Sequence, residues 1–324
     1  MTTQEWKFNI RDIAEKPDLF TSGHRACAGC GPAHVLRMVL KAIRGPTIVT
    51  EATGCMEVAS SIYPYTSWAV PWLHTAFETA AANASGIDAA LKALGRKGKI
   101  KEHIDVIAIA GDGGTYDIGI QALSGAVERG HDFLFVLYDN EGYMNTGIQR
   151  SGGTPMGAAT TTTPAGKIIP GKLQHKKPIS DIMVAHNIEY VATASPYYWK
   201  DMLTKVRKGI EVNGPAFLHV FTTCPRGWRS EPAKSIEYTK LAVESCIFPL
   251  YEVINGEYKL STPSKLIALA PQKKKPVTDY LKGQGRFRHL FTPQNKKVLD
   301  EIQRWTDERW TKLLKRCGEE EPKA

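Results

Sequence analysis

Residues 105–114 read DVIAIAGDGG, and the next apolar run, FLFVLY at 133–138, leads into DNEG at 139–142. Both runs are apolar at odd and even positions alike. A strand with one wet face alternates, so runs like these suit a parallel sheet covered on both sides. Residues 117–129 lie between them and read as a helix, which gives a strand–helix–strand unit. The alternation extends outward in both directions. Ile48-Val49-Thr50 is a strand candidate, and the alanine-rich stretch His74 to Leu94 reads as a helix. Further on come a helix at 180–186, a strand at 188–193, a helix at 199–212 and a strand at 216–221. The pattern predicts an α/β fold, a doubly wound parallel sheet over residues 21–232. An N-terminal arm (1–20) precedes it, and a C-terminal helical arm (233–324) for subunit contacts follows.

Ligands of such sheets bind beyond the carboxyl ends of the strands. Gly111-Asp112-Gly113 lies at one of these ends and Asn140 at the next. The intervening helix returns the chain to the same edge, so the two side chains can share one Mg²⁺, a cation that takes oxygen ligands and shares them with phosphates. The glycines allow close backbone approach, and a helix opening at Gly114-Thr115 can face a diphosphate. A GDG triplet alone is a common turn. Asn140 at this distance and YMNTG (143–147) after it are what make the pattern specific. A long Gly-, Thr- and Pro-rich loop runs from Gly142 to Pro178. Its length and position predict a covering loop, ordered by a ligand or a partner chain.

The six cysteines form a second constellation. Cys27 and Cys30 make a CxxC before the domain, Cys55 follows the first strand and Cys224 follows the last. Four thiolates drawn from separate strand ends suit an S₄ site, for Zn²⁺ or for an iron–sulfur cluster, and spacing does not separate the two. Cys246 and Cys317 have no companions and read as buried thiols. His24, His34, His74, Arg226 and Arg229 lie near these motifs without a role that spacing assigns.

At 42% hydrophobic and 23% charged residues, the chain is composed like a globular protein rather than a disordered one. It has no apolar run of the ~20 residues a membrane helix needs. The first twenty residues carry acids and lack an apolar core, so a cytoplasmic protein is expected, with its cysteines reduced. The net charge is +9, concentrated between Lys273 and Arg316, where thirteen Lys/Arg stand against five Asp/Glu. That basic stretch could be a solvated face or could meet an acidic partner. No nucleic-acid-binding motif accompanies it, so nucleic acid is not an expected partner. In the last helix, around 299–317, Leu299, Ile302, Trp305, Trp310, Leu313 and Cys317 recur at helical spacing and must be buried against this domain or a neighbouring subunit.

Longer stretches carry a resemblance. HRACAGCGPA (24–33), EATGCMEVASSIYPYTSW (51–68), GDGGTYDIGIQALSGAVERG (111–130), YDNEGYMNTGIQRSG (138–152) and LAVESCIFPLYEV (241–253) resemble the beta subunits of pyruvate:ferredoxin oxidoreductases, within the 2-oxoacid:ferredoxin oxidoreductase family. The likeness spans nearly the whole chain, including GQGRFRHL (283–290). It implies an oxidoreductase subunit that carries thiamine diphosphate, Mg²⁺ and a [4Fe–4S] cluster and is active only in a complex. Cys27, Cys30, Cys55 and Cys224 would hold the cluster. Asp112, Asn140 and the main-chain oxygen of Gly142 would bind Mg²⁺, Thr146 would lie near the diphosphate and Asn145 near the reacting centre. The reaction would be the reversible oxidative decarboxylation of pyruvate with coenzyme A, its electrons passing singly to ferredoxin.

Two parts of that machinery have no counterpart here. Thiamine diphosphate sits between two α/β domains in such enzymes, and the second supplies an activating Glu. This chain has motifs for one domain, and Glu57 is not an obvious substitute. Nor is there a CxxCxxCxxxCP ferredoxin run. The resemblance therefore implies an alpha-type partner, a ferredoxin-like subunit, a gamma-type subunit or domain, and external ferredoxin. Rival readings are the same machinery acting on another 2-oxoacid or on oxalate, and a zinc-stabilised, non-catalytic binding module.

Overall fold

A computed structural model describes residues 8–166 and 168–319. Eight strands form one sheet: β1 (Thr47–Ala52), β2 (Trp72–Thr75), β3 (Asp105–Gly111), β4 (Phe133–Asp139), β5 (Tyr190–Ala194), β6 (Pro215–Phe221), β7 (Tyr251–Ile254) and β8 (Glu257–Leu260). Their order is β2-β1-β3-β4-β6-β5-β7-β8. The first six in this order pair parallel, and β7 and β8 add antiparallel at one edge. The helices are α1 (Ile10–Glu15), α2 (Gly31–Ala42), α3 (Cys55–Ser60), α4 (Ala80–Arg96), α5 (Ile120–Glu128), α6 (Ile179–Val184), α7 (Trp199–Glu211), α8 (Pro225–Trp228), α9 (Ser235–Glu244), α10 (Thr262–Leu269), α11 (Val277–Leu281) and α12 (Lys296–Arg316).

The apolar strands divide their side chains between two cores. Ile107, Ile109, Leu134 and Val136 join Val35, Leu36 and Val39 of α2 and Met202 and Val206 of α7. Val106, Ala108, Phe133 and Phe135 join Ala81 and Ala84 of α4, Leu123 of α5 and Trp310, Leu313 and Leu314 of α12. Both faces are thus covered, as the sequence pattern required. From β1 the chain goes to β2 on one side and then to β3 on the other, so the strand order reverses between β1 and β3. A crevice opens at such a reversal.

Several expected elements shift. His74 lies in β2, an edge strand, and the helix expected to start there begins at Ala80. The helix expected from Asp117 is preceded by a π-helical turn at Gly113–Asp117 and begins at Ile120. The sheet is mixed rather than wholly parallel, because residues 251–260 form a hairpin. Its turn, Asn255-Gly256, has positive φ at both positions (50° and 84°), the conformation that Asn-Gly favours. The final helix packs on its own chain: Trp310, Leu313 and Leu314 join the sheet core and Ile302 a third core with Trp228, Tyr280 and Phe287. The long loop is held by its own chain as well, through Gly157 N–H to Lys172 O (2.7 Å), Lys177 N–H to Gly152 O (3.0 Å) and Ala159 N–H to Arg286 O (2.9 Å).

Candidate functional site

Four strand ends deliver the site. After β1 the chain turns through Thr53-Gly54 into Cys55, the first residue of α3. Gly54 has no room for a side chain, since an added Cβ would lie 2.9 Å from the Tyr138 hydroxyl. Asp112 and Gly113 follow β3, and a Cβ on Gly113 would strike the Tyr143 ring. β4 runs into Asn140, Gly142, Asn145 and Thr146, and β6 into Thr222, Thr223 and Cys224. Together Thr53, Gly54, Phe77, Gly111, Asp112 and Tyr143 line a crevice of about 80 Å³, completed by Asn140, Gly142, Asn145 and Thr146.

At its floor three oxygens converge. The side-chain oxygen of Asn140 lies 2.9 Å from Asp112 Oδ1 and 3.0 Å from the Gly142 carbonyl oxygen, and none of the three is a donor. Rotating the amide would let its NH₂ donate to both neighbours. With the amide oxygen turned toward its neighbours, a cation among the three would reconcile them, and hard oxygen ligands of this kind suit Mg²⁺. Asp112 is buried and accepts a hydrogen bond from Ser151 Oγ. Burial, then the neighbouring Asp139 carboxylate, pushes its carboxyl well above the usual range. A cation at this point would remove that penalty.

The cysteines meet on the adjoining wall. Cys27, Cys30, Cys55 and Cys224 line one cavity of about 300 Å³ together with Arg25, Met56 and Pro225. Gly31 brings the CxxC loop to the end of β6: its N–H donates to Thr223 O (3.2 Å), and a Cβ there would collide with Thr222 Oγ1. Cys224 caps α8, its sulfur accepting from Gly227 N–H at 3.3 Å. Burial pushes the Cys30 and Cys55 thiols up to about 12, and the other cysteines add to the shift. Deprotonating such a group needs a positive centre beside it. Among the described residues no three Cys, His, Asp or Glu side chains are placed to hold a single metal ion. All four thiols border this one space. Cys246 is buried in the core and Cys317 packs against it, both away from this cavity.

Sequence reasoning missed the support beneath these groups. Asp139 accepts from Tyr116 OH (2.8 Å), His219 Nε2 (2.9 Å) and Lys176 Nζ (2.8 Å). Burial alone would raise Asp139, but Lys176 and His219 outweigh it and hold the carboxyl below its ordinary value. Glu141 accepts from Lys176 Nζ (2.9 Å), Tyr280 OH (3.0 Å) and Arg286 Nη2. Glu141 and Arg286 both lie in the quoted motifs, yet spacing gives no sign that they meet. Tyr138, which lines the crevice at the end of β4, carries no sign of that role in the apolar run.

A family model described as thiamine pyrophosphate enzyme, C-terminal TPP binding domain, matches residues 52–220, from the end of β1 through β6. Pyruvate synthase subunit PorB of Methanocaldococcus jannaschii is 54% identical over 92% of this chain and 97% of its own length. The PorB of Thermotoga maritima is 50% identical over 94% of this chain and 95% of its own. The chain belongs to the pyruvate:ferredoxin oxidoreductase beta-subunit family. Members of this family are subunits of oxidoreductase complexes, and the matched domain is a thiamine-diphosphate-binding one. Ketoisovalerate oxidoreductase subunit VorB of Pyrococcus abyssi is also 48% identical over 91% of this chain and 92% of its own length. Among solved structures, a 2-oxoglutarate:ferredoxin oxidoreductase from Magnetococcus marinus has TM-score 0.52 at 20% identity, covering 70% of this chain and 78% of that one, a likeness of fold. No helix among the described residues is long and apolar enough to cross a membrane.

Proposed function

We propose that this chain is the thiamine-diphosphate and [4Fe–4S] subunit of a 2-oxoacid:ferredoxin oxidoreductase in the cytoplasm, with pyruvate as the 2-oxoacid. The observation that carries the reading is that the oxygen-floored crevice and the cysteine cavity share Cys55, Asn140 and Asn145 as common wall. When bound, thiamine diphosphate supplies the nucleophile for a 2-oxo carbon, and a cluster beside it accepts electrons singly. The chain's own residues prepare both places. Asp112, Asn140 and the Gly142 carbonyl would hold Mg²⁺, and Gly111, Gly113 and Thr146 would border the diphosphate. Asn145, on both cavities, is the residue for the reacting centre. Cys27, Cys30, Cys55 and Cys224 would hold the cluster, since all four line the one cavity beside the crevice.

The crevice has one protein wall here. An alpha-type subunit would supply the other, with the activating Glu. A gamma-type subunit or domain, a ferredoxin-like subunit and external ferredoxin would complete coenzyme A chemistry and electron export. A second reading, a branched 2-oxoacid as substrate, is favoured by the similarity to VorB. Anaerobic purification of the complex tests the assignment. Broad absorption near ~400 nm, with iron and sulfide in equal amounts, is expected for a thiolate-bound cluster. A colourless chain with one zinc overturns it. Assaying the complex on pyruvate, branched 2-oxoacids, 2-oxoglutarate and oxalate with a viologen acceptor then selects the substrate.

A further inference from the structure

Glu141 stands between two of the oxygen-bearing residues with a left-handed backbone, φ 69°. That conformation costs a non-glycine residue roughly 1–2 kcal/mol, yet it is what sends alternate groups to opposite sides of the turn. Asn140 and the Gly142 carbonyl face the crevice, while the Glu141 carboxylate points beneath it. There it meets Tyr280 and Arg286 from the C-terminal segment and Lys176 from the covering loop. All four groups are buried or nearly so, and the Arg286 side chain is further fixed by Gln284 Oε1, 2.9 Å from its Nε.

Arg286 reaches the cysteine side as well. Its guanidinium lies 4.1 Å from the centroid of the Trp228 ring, and Trp228 Nε1 donates to the Asn140 carbonyl at 2.8 Å. Trp228 ends the short helix that Cys224 caps, and Gly227 in that helix abuts Met144 with no room for a Cβ. Gly285 permits the approach of the C-terminal segment, its N–H bonding Arg229 O at 3.2 Å. One arginine therefore braces the oxygen-bearing turn from below, through Glu141, and from the side, through Trp228.

We propose that Arg286, with Tyr280, is a positioning residue for the cation-binding turn: its clamp on Glu141 holds the strained backbone in which the Asn140 and Gly142 oxygens converge on Asp112. This rests on the Mg²⁺ reading of the turn. Ligand-orienting partners of this kind are typically worth about 10–100-fold in metal affinity. A role in stability alone would lower the melting temperature and leave cation affinity unchanged.

The test uses the assembled complex stripped of thiamine diphosphate and Mg²⁺ by chelation. Mg²⁺ is titrated at fixed thiamine diphosphate, with tryptophan fluorescence as the readout and the melting temperature recorded in parallel. Arg286→Lys keeps the charge and loses the fork and ring stacking, and should raise half-saturating Mg²⁺ about tenfold. Tyr280→Phe removes one hydrogen bond and no charge, so it should fold; a rise of about threefold is expected. Glu141→Gly accommodates the left-handed φ but removes the clamp, and should still bind Mg²⁺ weakly. Half-saturation within twofold of the native complex in both Tyr280→Phe and Arg286→Lys overturns the proposal. If the native complex binds thiamine diphosphate without a divalent cation, the Mg²⁺ reading itself has failed, which is a separate outcome.

Discussion

The two sides of the Asn140–Gly142 turn are built differently. Beneath it Asp139, Glu141 and Arg286 are buried and Lys176 nearly so, and each ion has an opposite partner within hydrogen-bonding distance. Above it Asn145, Thr146 and Cys27 stand exposed. Tyr63, on the loop after α3, is 94% exposed. The buried charges are costly to unpair, since breaking a buried ion pair costs about 3–5 kcal/mol. The open groups cost almost nothing to change in the isolated chain. The layer beneath the turn is preorganised, and the lip above it is open.

The hardest break of this contrast is at the cysteines. Cys55→Ala or Cys224→Ala should abolish iron and acid-labile sulfide in the anaerobically purified complex, because each removes one of four thiolates around a shared space. The same change at Cys246 or Cys317 should leave both intact. Equal cluster content in all four variants would falsify the ligand set.

Asp112→Ala comes next. It removes the only carboxylate among the three convergent oxygens, so thiamine diphosphate binding should fall by about 100-fold or more while the cluster persists. Titrating the cofactor into the assembled variant measures it. Unchanged affinity would mean that Asn140 and Gly142 turn toward each other rather than toward a cation.

Much of this was legible before any coordinates. DVIAIAGDGG and FLFVLY specify buried parallel strands because both faces must be apolar, and the residues after them must then lie at one edge. The four cysteines group because Cys55 and Cys224 follow such strands and Cys27 and Cys30 form a CxxC pair. The Asn255-Gly256 pair, between YEVI and EYKL, is an equally legible hairpin signal for β7 and β8. The ion network beneath the turn was not legible at all. Glu141 and Arg286 are 145 positions apart, and nothing in either local pattern says that one neutralises the other. Tertiary pairing of charges leaves no period in a sequence.

The last helix shows the same limit. Its apolar spacing required burial but not against what, and the structure buries it against its own sheet. Trp310→Ala should therefore destabilise the isolated chain by about 3–5 kcal/mol, the usual cost of emptying an aromatic site. Denaturant unfolding of the chain alone decides this. An unchanged midpoint, with assembly impaired, would return the helix to a role in subunit contact.

Within the cysteine set the contrast appears on a smaller scale. Cys27 is exposed, whereas burial pushes Cys30 and Cys55 up to about 12. At pH 8 a thiol with that pKa is ionised in about one molecule in ten thousand. Iodoacetamide should thus label Cys27 of the metal-free chain well before Cys30 or Cys55, and the lag should shorten as pH rises toward 12. Peptide mass mapping against time checks the order. Simultaneous labelling of the three would show that the metal-free cavity is open to its depth.

The smallest expected effects come from two hydroxyls, and they separate floor from lip most cleanly. Ser151 Oγ donates to Asp112 and accepts from Gly153 N–H at 3.1 Å, all of it buried. Thr146 is exposed, and among the described residues its hydroxyl donates to the side chain of Gln149 alone. Ser151→Ala leaves a buried carboxyl short of a donor, which should cost about 1–3 kcal/mol of stability and also weaken cofactor binding. Thr146→Ala should change stability by no more than about 0.5 kcal/mol, because a solvated hydroxyl exchanges its partner for water. Its effect should appear only as a few-fold loss of thiamine diphosphate affinity. Paired measurement of unfolding and cofactor titration reads both axes at once. If Thr146→Ala destabilises the chain as much as Ser151→Ala does, the lip is part of the scaffold, and the division drawn at the Asn140–Gly142 turn lies in the wrong place.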